Sequence, residues 1–312
     1  MTYSITEPSR RQKWFAGILV VCYALITLAP LLWIIATSVK SSPDSIAYPP
    51  KVIFEPTLEG YVNLFTTQTR LSEAALQEDV DSLPWYEQVV RKKNNTIVGP
   101  SRFAERFFNS FIIGFGSTLF AIVLGTVAAY AFSRFRVPIK DDLMFFILST
   151  RMMPPIAVAI PIFLMFRYLG LGDTHAGMIL LYTAVNLSLS VWLIHGFIDE
   201  IPVEYEEAAL IDGYTRFQAF YKVVLPQAAT GIAATAIFCL IFAWNEYAFA
   251  VLLTSGTAQT APPFIPTIIG VAGQDWPAVA AGVTLFLLPV MTFTILLRKH
   301  LSRGITFGAV RK

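Results

Sequence analysis

Polar side chains occur inside several long apolar stretches of this chain, and their types suit binding a solute rather than making bonds. A charge in the middle of a membrane costs roughly 2.5–3.5 kcal/mol on insertion scales, so such groups should face protein or water. They could hydrogen-bond a crossing solute, or they could only bridge neighbouring helices. For Glu246 we favour the bridging role. The candidates for a solute path are Arg151, Asn186, Ser190, Asn245 and Glu246, with Ser188 as a further hydrogen-bonding group.

Catalytic signatures are missing from the sequence. It contains no G-x-x-x-x-G-K phosphate loop, no H-E-x-x-H and no G-x-S-x-G, so it gives no signal for ATP hydrolysis, metalloprotease or esterase chemistry. His175, His195 and His300 stand near predicted helix ends, which favours interfacial residues over metal ligands. We therefore expect a protein that is not an enzyme and that binds no cofactor or metal itself.

The composition indicates an all-α polytopic membrane protein. Apolar residues make up 55% of the 312 residues and charged residues only 14%, and the apolar residues form runs of the ~20 residues that a spanning helix needs. The net charge of +2, without a basic aromatic stripe, gives no reason to expect nucleic acid as a partner. Cys22 and Cys239 each lie in an apolar run, which favours packing over a disulfide.

Six spans are predicted from the apolar runs. A polar N-tail (1–13) precedes the first span (14–39), and a long loop (40–108) separates it from a five-span core (109–297) and a basic C-tail (298–312). Within the core, the spans are expected at 109–132, 143–166, 176–197, 228–253 and 278–297. Pro154, Pro155 and Pro161 interrupt the third span, which a membrane helix tolerates where neighbours satisfy the freed backbone groups.

Basic residues predict the orientation of the spans. Short segments rich in Lys and Arg stay in the cytoplasm, whereas the short links assigned to the other side hold only Arg167. Both termini and the loop 199–226 are therefore predicted to be cytoplasmic, and an even number of spans agrees with both termini lying on one side. The supporting residues are Arg10, Arg11, Lys13, Arg134, Arg136, Lys140, Arg216, Lys222, Arg298, Lys299, Arg303, Arg311 and Lys312.

The loop 199–226 reads DEIPVEYEEAALIDGYTRFQAFYKVVLP and predicts two short helices on the membrane surface. Pro202 suits the first turn of the first helix, and the glutamates that follow favour the positive end of its dipole. The apolar face of Ala208, Ala209 and Leu210 could approach another surface closely. Asp212-Gly213 should end this helix, because glycine readily takes the left-handed conformation. The glutamates are Glu204, Glu206 and Glu207.

A second helix should begin at Thr215, since Gln218 three residues later completes a capping box. Leu225-Pro226 is expected to close this helix as the chain re-enters the membrane. An alternative is that the whole segment is a generic amphipathic loop between membrane helices.

The spacing in this loop resembles the EAA loop of the membrane subunits of ATP-binding-cassette (ABC) importers. Glu207-Ala208-Ala209 is followed by Gly213, by Val223 and by Leu225-Pro226 at the positions of that motif, with Val where Ile is commonest. Asp212-Gly213 with Phe217 and Phe220 is most similar to the carbohydrate, or MalG-like, branch. The resemblance covers nearly the whole chain except about 66–99, and it implies the six-helix fold of a type I importer permease.

The resemblance also implies partners and roles. It implies a second permease subunit, two copies of an ATPase that carries ATP and Mg, a periplasmic solute-binding protein, and the lipid of a bacterial inner membrane. The solute would be a sugar, polyol or glycerol phosphate. The residues implied for ATPase coupling are Glu207, Ala208, Ala209, Leu210, Asp212, Gly213, Leu225 and Pro226. The alternative from another class is an ion-coupled secondary transporter, against which there are no paired intramembrane carboxylates and no inverted repeat of broken helices.

Two segments keep open interpretations. The insertion at about 66–99 is expected to be a solvated loop rather than a dedicated binding device, with short amphipathic helices around 71–76 and 85–90. The tail 301–312, LSRGITFGAVRK, resembles the C-terminal ending of the same family. It could contact the ATPase dimer, or it could bind anionic lipid through its basic residues.

Overall fold

The computed structural model describes residues 10–72, 80–271 and 273–306, and most of these residues are helical. Within them, five helices are long and apolar enough to cross a membrane, and a bent pair of helices makes a sixth if it counts as one span. The predicted fold class is confirmed. In chain order the elements are α1 (Arg10–Ser38), α2 (Ser42–Ser45), α3 (Glu59–Phe65), β1 (Thr66–Arg70), α4 (Trp85–Arg91), β2 (Asn95–Pro100), α5 (Phe103–Arg134), α6 (Lys140–Ser149), α7 (Pro155–Tyr168), α8 (His175–Asp199), α9 (Glu204–Ile211), α10 (Arg216–Ala219), α11 (Leu225–Trp244), α12 (Ala248–Leu253), α13 (Ala261–Phe264), β3 (Ile269–Gly270), β4 (Gly273–Gln274) and α14 (Trp276–Thr306).

The chain folds as two compact units. The first, here called the hairpin unit, comprises residues up to 101 together with 268–285. The second, the bundle unit, comprises residues 102–267 together with those from 286 onward. The loop 199–226 and all predicted solute-path residues belong to the bundle unit.

The bundle unit is built on α5, α8 and α11, which pack against one another. Small residues let α5 and α8 approach closely: a β-carbon on Gly125 would lie 2.2 Å from the hydroxyl oxygen of Ser190. One apolar core lies toward the start of α8 and another toward its end. The first core includes Ile113, Phe166, Met178, Tyr182 and Leu253, and the second includes Ala129, Ile194, Ile198, Val224 and Ala228.

The third apolar segment is interrupted at Pro154-Pro155, as its sequence predicts, and it consists of two helices. Here α6 continues in a 3-10 turn to Met152, and α7 starts at Pro155 at an angle of 93° to it. Two consecutive prolines supply no backbone N–H, and they hold Met153 and Pro154 in extended conformations. Pro161, expected to interrupt the span as well, lies inside α7 without ending it.

The fifth apolar segment also breaks, contrary to the single span predicted at 228–253. It ends as α11 at Trp244 and resumes as α12 at Ala248. The Glu246 carboxylate accepts hydrogen bonds from the N–H groups of Phe249 (2.9 Å) and Ala250 (3.1 Å), and these bonds cap the new helix. Trp244 is buried at the break, where its indole N–H donates to the carbonyl of Phe286 at 3.1 Å.

The hairpin unit joins the end of α1 to α3 and to the start of α14. Gly60 on α3 is the point of closest approach, since a β-carbon there would lie 2.5 Å from the Pro277 carbonyl oxygen and 2.8 Å from that of Ser38. The Ser38 hydroxyl is buried and lies 3.1 Å from the Tyr61 hydroxyl. Backbone packs directly on backbone at this junction.

The insertion at 66–99 is closed at its base by a strand pair, which the sequence did not predict, and most residues of the pair are exposed or half-buried. β1 and β2 pair antiparallel, from Thr66 opposite Pro100 to Arg70 opposite Asn95. Threonine and other β-branched residues suit this paired surface. The helix expected around 85–90 is confirmed as α4, whose Val90 is buried. The helix expected around 71–76 falls largely on residues outside the described ranges.

Candidate coupling loop and solute path

The first helix of the loop 199–226 forms as its sequence predicts. The Pro202 carbonyl accepts from the N–H of Tyr205 at 3.3 Å, so Pro202 opens the first turn that leads into α9. At the other end, Gly213 takes a left-handed φ of +89°. The N–H of Tyr214 returns to the Ala209 carbonyl (3.0 Å) and that of Gly213 to the Leu210 carbonyl (3.1 Å). This paired return is the helix ending that favours glycine.

The inner face of α9 is anchored to the bundle through Glu206. The Glu206 carboxylate, 5% exposed, forms an ion pair with the Arg134 guanidinium and accepts from the Tyr130 hydroxyl at 2.8 Å. Arg134 also donates to the carbonyls of Ile198 (3.1 Å) and Ile201 (2.8 Å). One guanidinium at the end of α5 therefore holds the end of α8 and the start of the loop together.

The outer face of α9 is exposed, and its composition differs from the predicted apolar face. Ala209 is buried, because it lies one turn after Glu206 on the anchored side of the helix. Ala209 therefore does not belong to a docking surface formed with Ala208 and Leu210. Glu207 and Ala208 are exposed, and Ile211 is 85% exposed. The outer face consists of Glu207, Ala208, Leu210 and Ile211, with Asp212 and Gly213 at its end.

The second helix begins as predicted and ends differently. The Thr215 hydroxyl accepts from the Gln218 N–H at 3.2 Å, while the Gln218 side chain accepts from the Thr215 N–H at 2.8 Å. Leu225-Pro226 does not close this helix, since α10 passes through a π-helical turn (Phe220–Val224) directly into α11. Pro226 lies directly after this π-helical turn, as the second residue of α11.

Two of the predicted solute-path residues meet at one turn of α8: Asn186 is part of this turn, and Arg151 binds to its backbone. Arg151 donates to the Val185 carbonyl at 3.2 Å, and its guanidinium lies 4.2 Å from the centre of the Phe242 ring. Asn186 is buried and donates to the Cys239 carbonyl at 3.2 Å. Its amide oxygen has no hydrogen-bond partner within the part of the chain that the structure describes. A cation and an unpaired amide oxygen thus flank the same turn of α8.

The other predicted path residues make helix contacts. Ser190 is buried and donates to the Ala121 carbonyl of α5 at 2.8 Å. Asn245 donates to the Ile241 carbonyl of its own helix at 2.8 Å. Glu246 accepts from the Tyr182 hydroxyl at 2.6 Å in addition to capping α12. The contacts of Glu246 are those of a bridging residue, and Ser188 donates within α8, to the Val185 carbonyl.

A polar cluster that the sequence reasoning missed lies where α8 begins. Asp173, with a left-handed φ of +52°, accepts hydrogen bonds from four successive backbone N–H groups, those of residues 255–258, at 2.9–3.3 Å. Asn109 donates to the carbonyls of Thr257 (2.8 Å) and Gln259 (2.9 Å). Arg106 donates to the Gly256 carbonyl. These bonds fix the turn that follows α12.

We expect Asp173→Asn to loosen this turn in a pH-dependent way. Partial burial alone would raise the pKa of Asp173, but the four backbone N–H groups outweigh it and lower the pKa below its ordinary 3.8. The ionised carboxylate therefore stabilises the turn at neutral pH, and this contribution is lost as the pH falls through the lowered pKa. Hydrogen exchange at 255–258 should be faster in the variant at pH 7, and the difference should shrink in acid. Asp212→Asn, at an exposed helix end, is the control, and equal exchange at pH 7 would contradict the prediction.

The apolar helices and the surface loop anchored at one end of the bundle are those of a membrane permease subunit with the type I ABC importer fold. The chain belongs to the family of binding-protein-dependent transport system inner membrane components, whose model matches residues 121–307.

Individual relatives agree with this family. The chain is 30% identical over 288 residues to the probable ABC transporter permease protein y4oR of Sinorhizobium fredii, covering 92% of each chain. It is 38% identical over 212 residues to the trehalose transport system permease protein SugB of Mycobacterium tuberculosis, covering 67% of this chain and 77% of that one. Its fold is similar to a chain of a bacterial ABC transporter that imports the acidic polysaccharide alginate, with a TM-score of 0.67 at 20% identity and coverage of 94% and 98%.

Proposed function

We propose that this chain is the permease subunit of an ATP-driven importer for a carbohydrate-type solute: a sugar, a polyol or a glycerol phosphate. The observation that carries the proposal is the two-sided helix α9. Its inner face is fixed to the bundle by Glu206 and Arg134, while its outer face presents Glu207 and an apolar surface to a partner. The trehalose permease among the relatives supports the class of solute.

The proposed assembly holds this chain, a second permease subunit, an ATPase dimer that binds ATP and Mg, and a periplasmic solute-binding protein. The family description names dependence on a binding protein, which does not favour an ion-coupled secondary transporter. Both tails (1–13 and 298–312) and the loop 199–226 lie in the cytoplasm in this proposal, and the spans lie in a bacterial inner membrane. The solute would pass the turn of α8 that Arg151 and Asn186 flank.

The proposed mechanism is mechanical. Closure of the ATPase dimer pushes on the outer face of α9 and on α10, and the Glu206–Arg134 ion pair transmits this motion to α5 and α8 as rigid-body movement. Because α10 runs through the π-helical turn into α11, the same push also reaches a third helix.

Gentle affinity purification of the chain from its native membranes tests the assembly. The expected result is recovery of an ATPase and a second permease subunit, identified by mass spectrometry. Recovery of the chain alone, together with uptake driven by an ion gradient, would overturn the proposal.

We expect Glu207→Arg and Gly213→Pro to uncouple ATP hydrolysis from uptake while the protein still inserts in the membrane. Charge reversal changes only the exposed face of α9, whereas proline cannot adopt the φ of +89° that holds the angle between the two short helices. The measurement is solute uptake and ATPase activity in membrane vesicles. Glu204→Arg, an exposed charge reversal at the start of the same helix and outside the matched motif, is the control. Normal uptake in both test variants would show that the loop does not couple.

A further inference from the structure

A cavity of about 750 Å³ lies in the hairpin unit, within the ~300–1,000 Å³ range of ligand pockets. Three segments form its walls: the turn at Ser42–Ser45, the base of the β1–β2 hairpin, and the β3–β4 turn with the first residues of α14. Most of its lining precedes residue 121, where the family match begins. The insertion at 66–99 supplies one part of the lining, and none of the residues predicted for coupling or the solute path lines the cavity.

A chain of amide hydrogen bonds holds the cavity wall in one conformation. The Asn95 side chain donates to Gln68 at 3.4 Å, Gln68 donates to Asn63 at 2.7 Å, and Asn63 donates to the Asp275 carboxylate at 2.7 Å. Asp275 in turn accepts from the N–H of Ala278 at 3.1 Å, in the first turn of α14. These bonds connect both strands to two helices, so the polar groups of the wall are oriented before any ligand arrives.

The charges of the cavity exclude two kinds of ligand. Lys93 is paired with Glu59 and donates to the Ser42 hydroxyl at 2.7 Å, so its charge is already balanced. Arg70 is exposed and has no ion-pair partner within the described part of the chain. No carboxylate is among the described lining residues, which disfavours a cation. Among the described lining residues, a single guanidinium without an ion-pair partner is also too little positive charge for a polyphosphate.

An aromatic side chain completes the cavity. Trp276 lines it with 51% of its surface exposed, beside carboxamides from both strands of the hairpin. A sugar ring presents a C–H face that packs on an indole, and its hydroxyls need donors and acceptors at the ring edge. A half-exposed tryptophan in the same lining as fixed amides and an exposed guanidinium supplies both.

We propose that this cavity binds a saccharide unit, with its ring on Trp276 and its hydroxyl or acid groups on Arg70 and the amide wall. It is an accessory solute site of the hairpin unit, and none of the predicted path residues lines it. The choice of saccharides as ligands rests on the carbohydrate import proposed above. The existence of the site is argued from the residues that line the cavity.

The test uses the complete transporter with its partner subunits in lipid nanodiscs, without the solute-binding protein. Trehalose, maltose and a short alginate oligosaccharide are titrated, with binding followed by saturation-transfer NMR and by oxidative footprinting of Trp276. Arg70→Ala and Trp276→Ala should weaken binding by about tenfold or more. Lys92→Ala and Trp85→Ala are matched controls, since both side chains are exposed in the same unit and neither lines the cavity. Neutral and acidic saccharides distinguish recognition by the indole from recognition by the guanidinium.

Binding of at least one saccharide, lost with Arg70→Ala and kept with Lys92→Ala, supports the site. If no saccharide binds the wild type, or if Arg70→Ala and Trp276→Ala both bind as the wild type does, the site is overturned. Uptake driven by ATP, measured separately with the binding protein present, tests the importer. If the saccharide binds but ATP drives no uptake, the importer proposal is overturned and the saccharide site is retained.

Discussion

Replacing Glu206 with alanine should destabilise the permease far more than the same change at the next residue, Glu207. Glu206 is buried and paired with Arg134, whereas Glu207 is exposed. Breaking a buried pair by removing one partner typically costs about 3–5 kcal/mol, because the remaining charge is left uncompensated. A substitution at an exposed position usually changes the free energy of unfolding by no more than about 0.5 kcal/mol. Thermal unfolding of the purified complex in detergent, followed by size-exclusion chromatography, measures the difference.

A double variant makes this prediction sharper. If the ion pair is the cause, Arg134→Ala should be nearly as destabilising as Glu206→Ala, and the two changes together should cost much less than their sum. In uptake assays Glu207→Ala should lose transport at normal stability, so the two neighbouring glutamates separate folding from coupling. Equal melting temperatures for the Glu206→Ala and Glu207→Ala variants would show that the buried pair does not anchor the loop.

The second large effect is expected at Gly60, where alanine should destabilise the hairpin unit. A β-carbon there would meet backbone atoms only: 2.5 Å and 2.7 Å to the Pro277 carbonyl group and 2.8 Å to the Ser38 oxygen. Backbone cannot rotate away as a side chain can, so the helices must separate. Overpacking of this kind costs about 1–3 kcal/mol or more.

Gly17 offers a matched control in the same unit. It also lies in a helix, and a β-carbon there would have nothing within 4 Å. Gly17→Ala should therefore stabilise by up to ~1 kcal/mol, through helix propensity alone. Thermal denaturation of the two variants measures effects of opposite sign. A Gly60→Ala protein as stable as the wild type would mean that α3 does not pack this closely on α14.

Much of the fold follows from local sequence signals. Long apolar runs predict the spans, the capping box at Thr215 predicts the start of α10, and Gly213 predicts the left-handed turn after α9. These features depend on a few neighbouring residues, and the structure confirms them. The prolines placed the break in the third segment, but hydropathy did not reveal the break in the fifth, because an apolar run has the same composition whether it is bent or straight. Pro154-Pro155 and Glu246 were the signals for those breaks.

The candidate site was predicted in part. The residues on the exposed face of α9 could be identified by spacing, but Ala209 could not be assigned to the buried face before the position of Glu206 was known. The partner of Glu206, Arg134, lies 72 residues away in sequence, and Asp173 meets a turn more than 80 residues away. Contacts of this range leave no periodic pattern. An arginine that ends a span and an aspartate between two glycine-rich turns were the only hints.

Because α10, the π-helical turn and α11 are continuous, they would act as one lever for the motion that the ATPase imposes on the loop. Together they span 29 residues, from Arg216 to Trp244, which at ~1.5 Å per residue is a rod of about 43 Å. A tilt of about 5° at the loop would displace the far end by about 4 Å if the rod stayed straight. That far end is the break at Trp244 and Glu246, where Glu246 is hydrogen-bonded to Tyr182. A tilt at the loop would therefore move the polar connection between α11 and α12. The π-helical turn is the most compliant part of the rod, and its stiffness would determine how far the end at Trp244 moves.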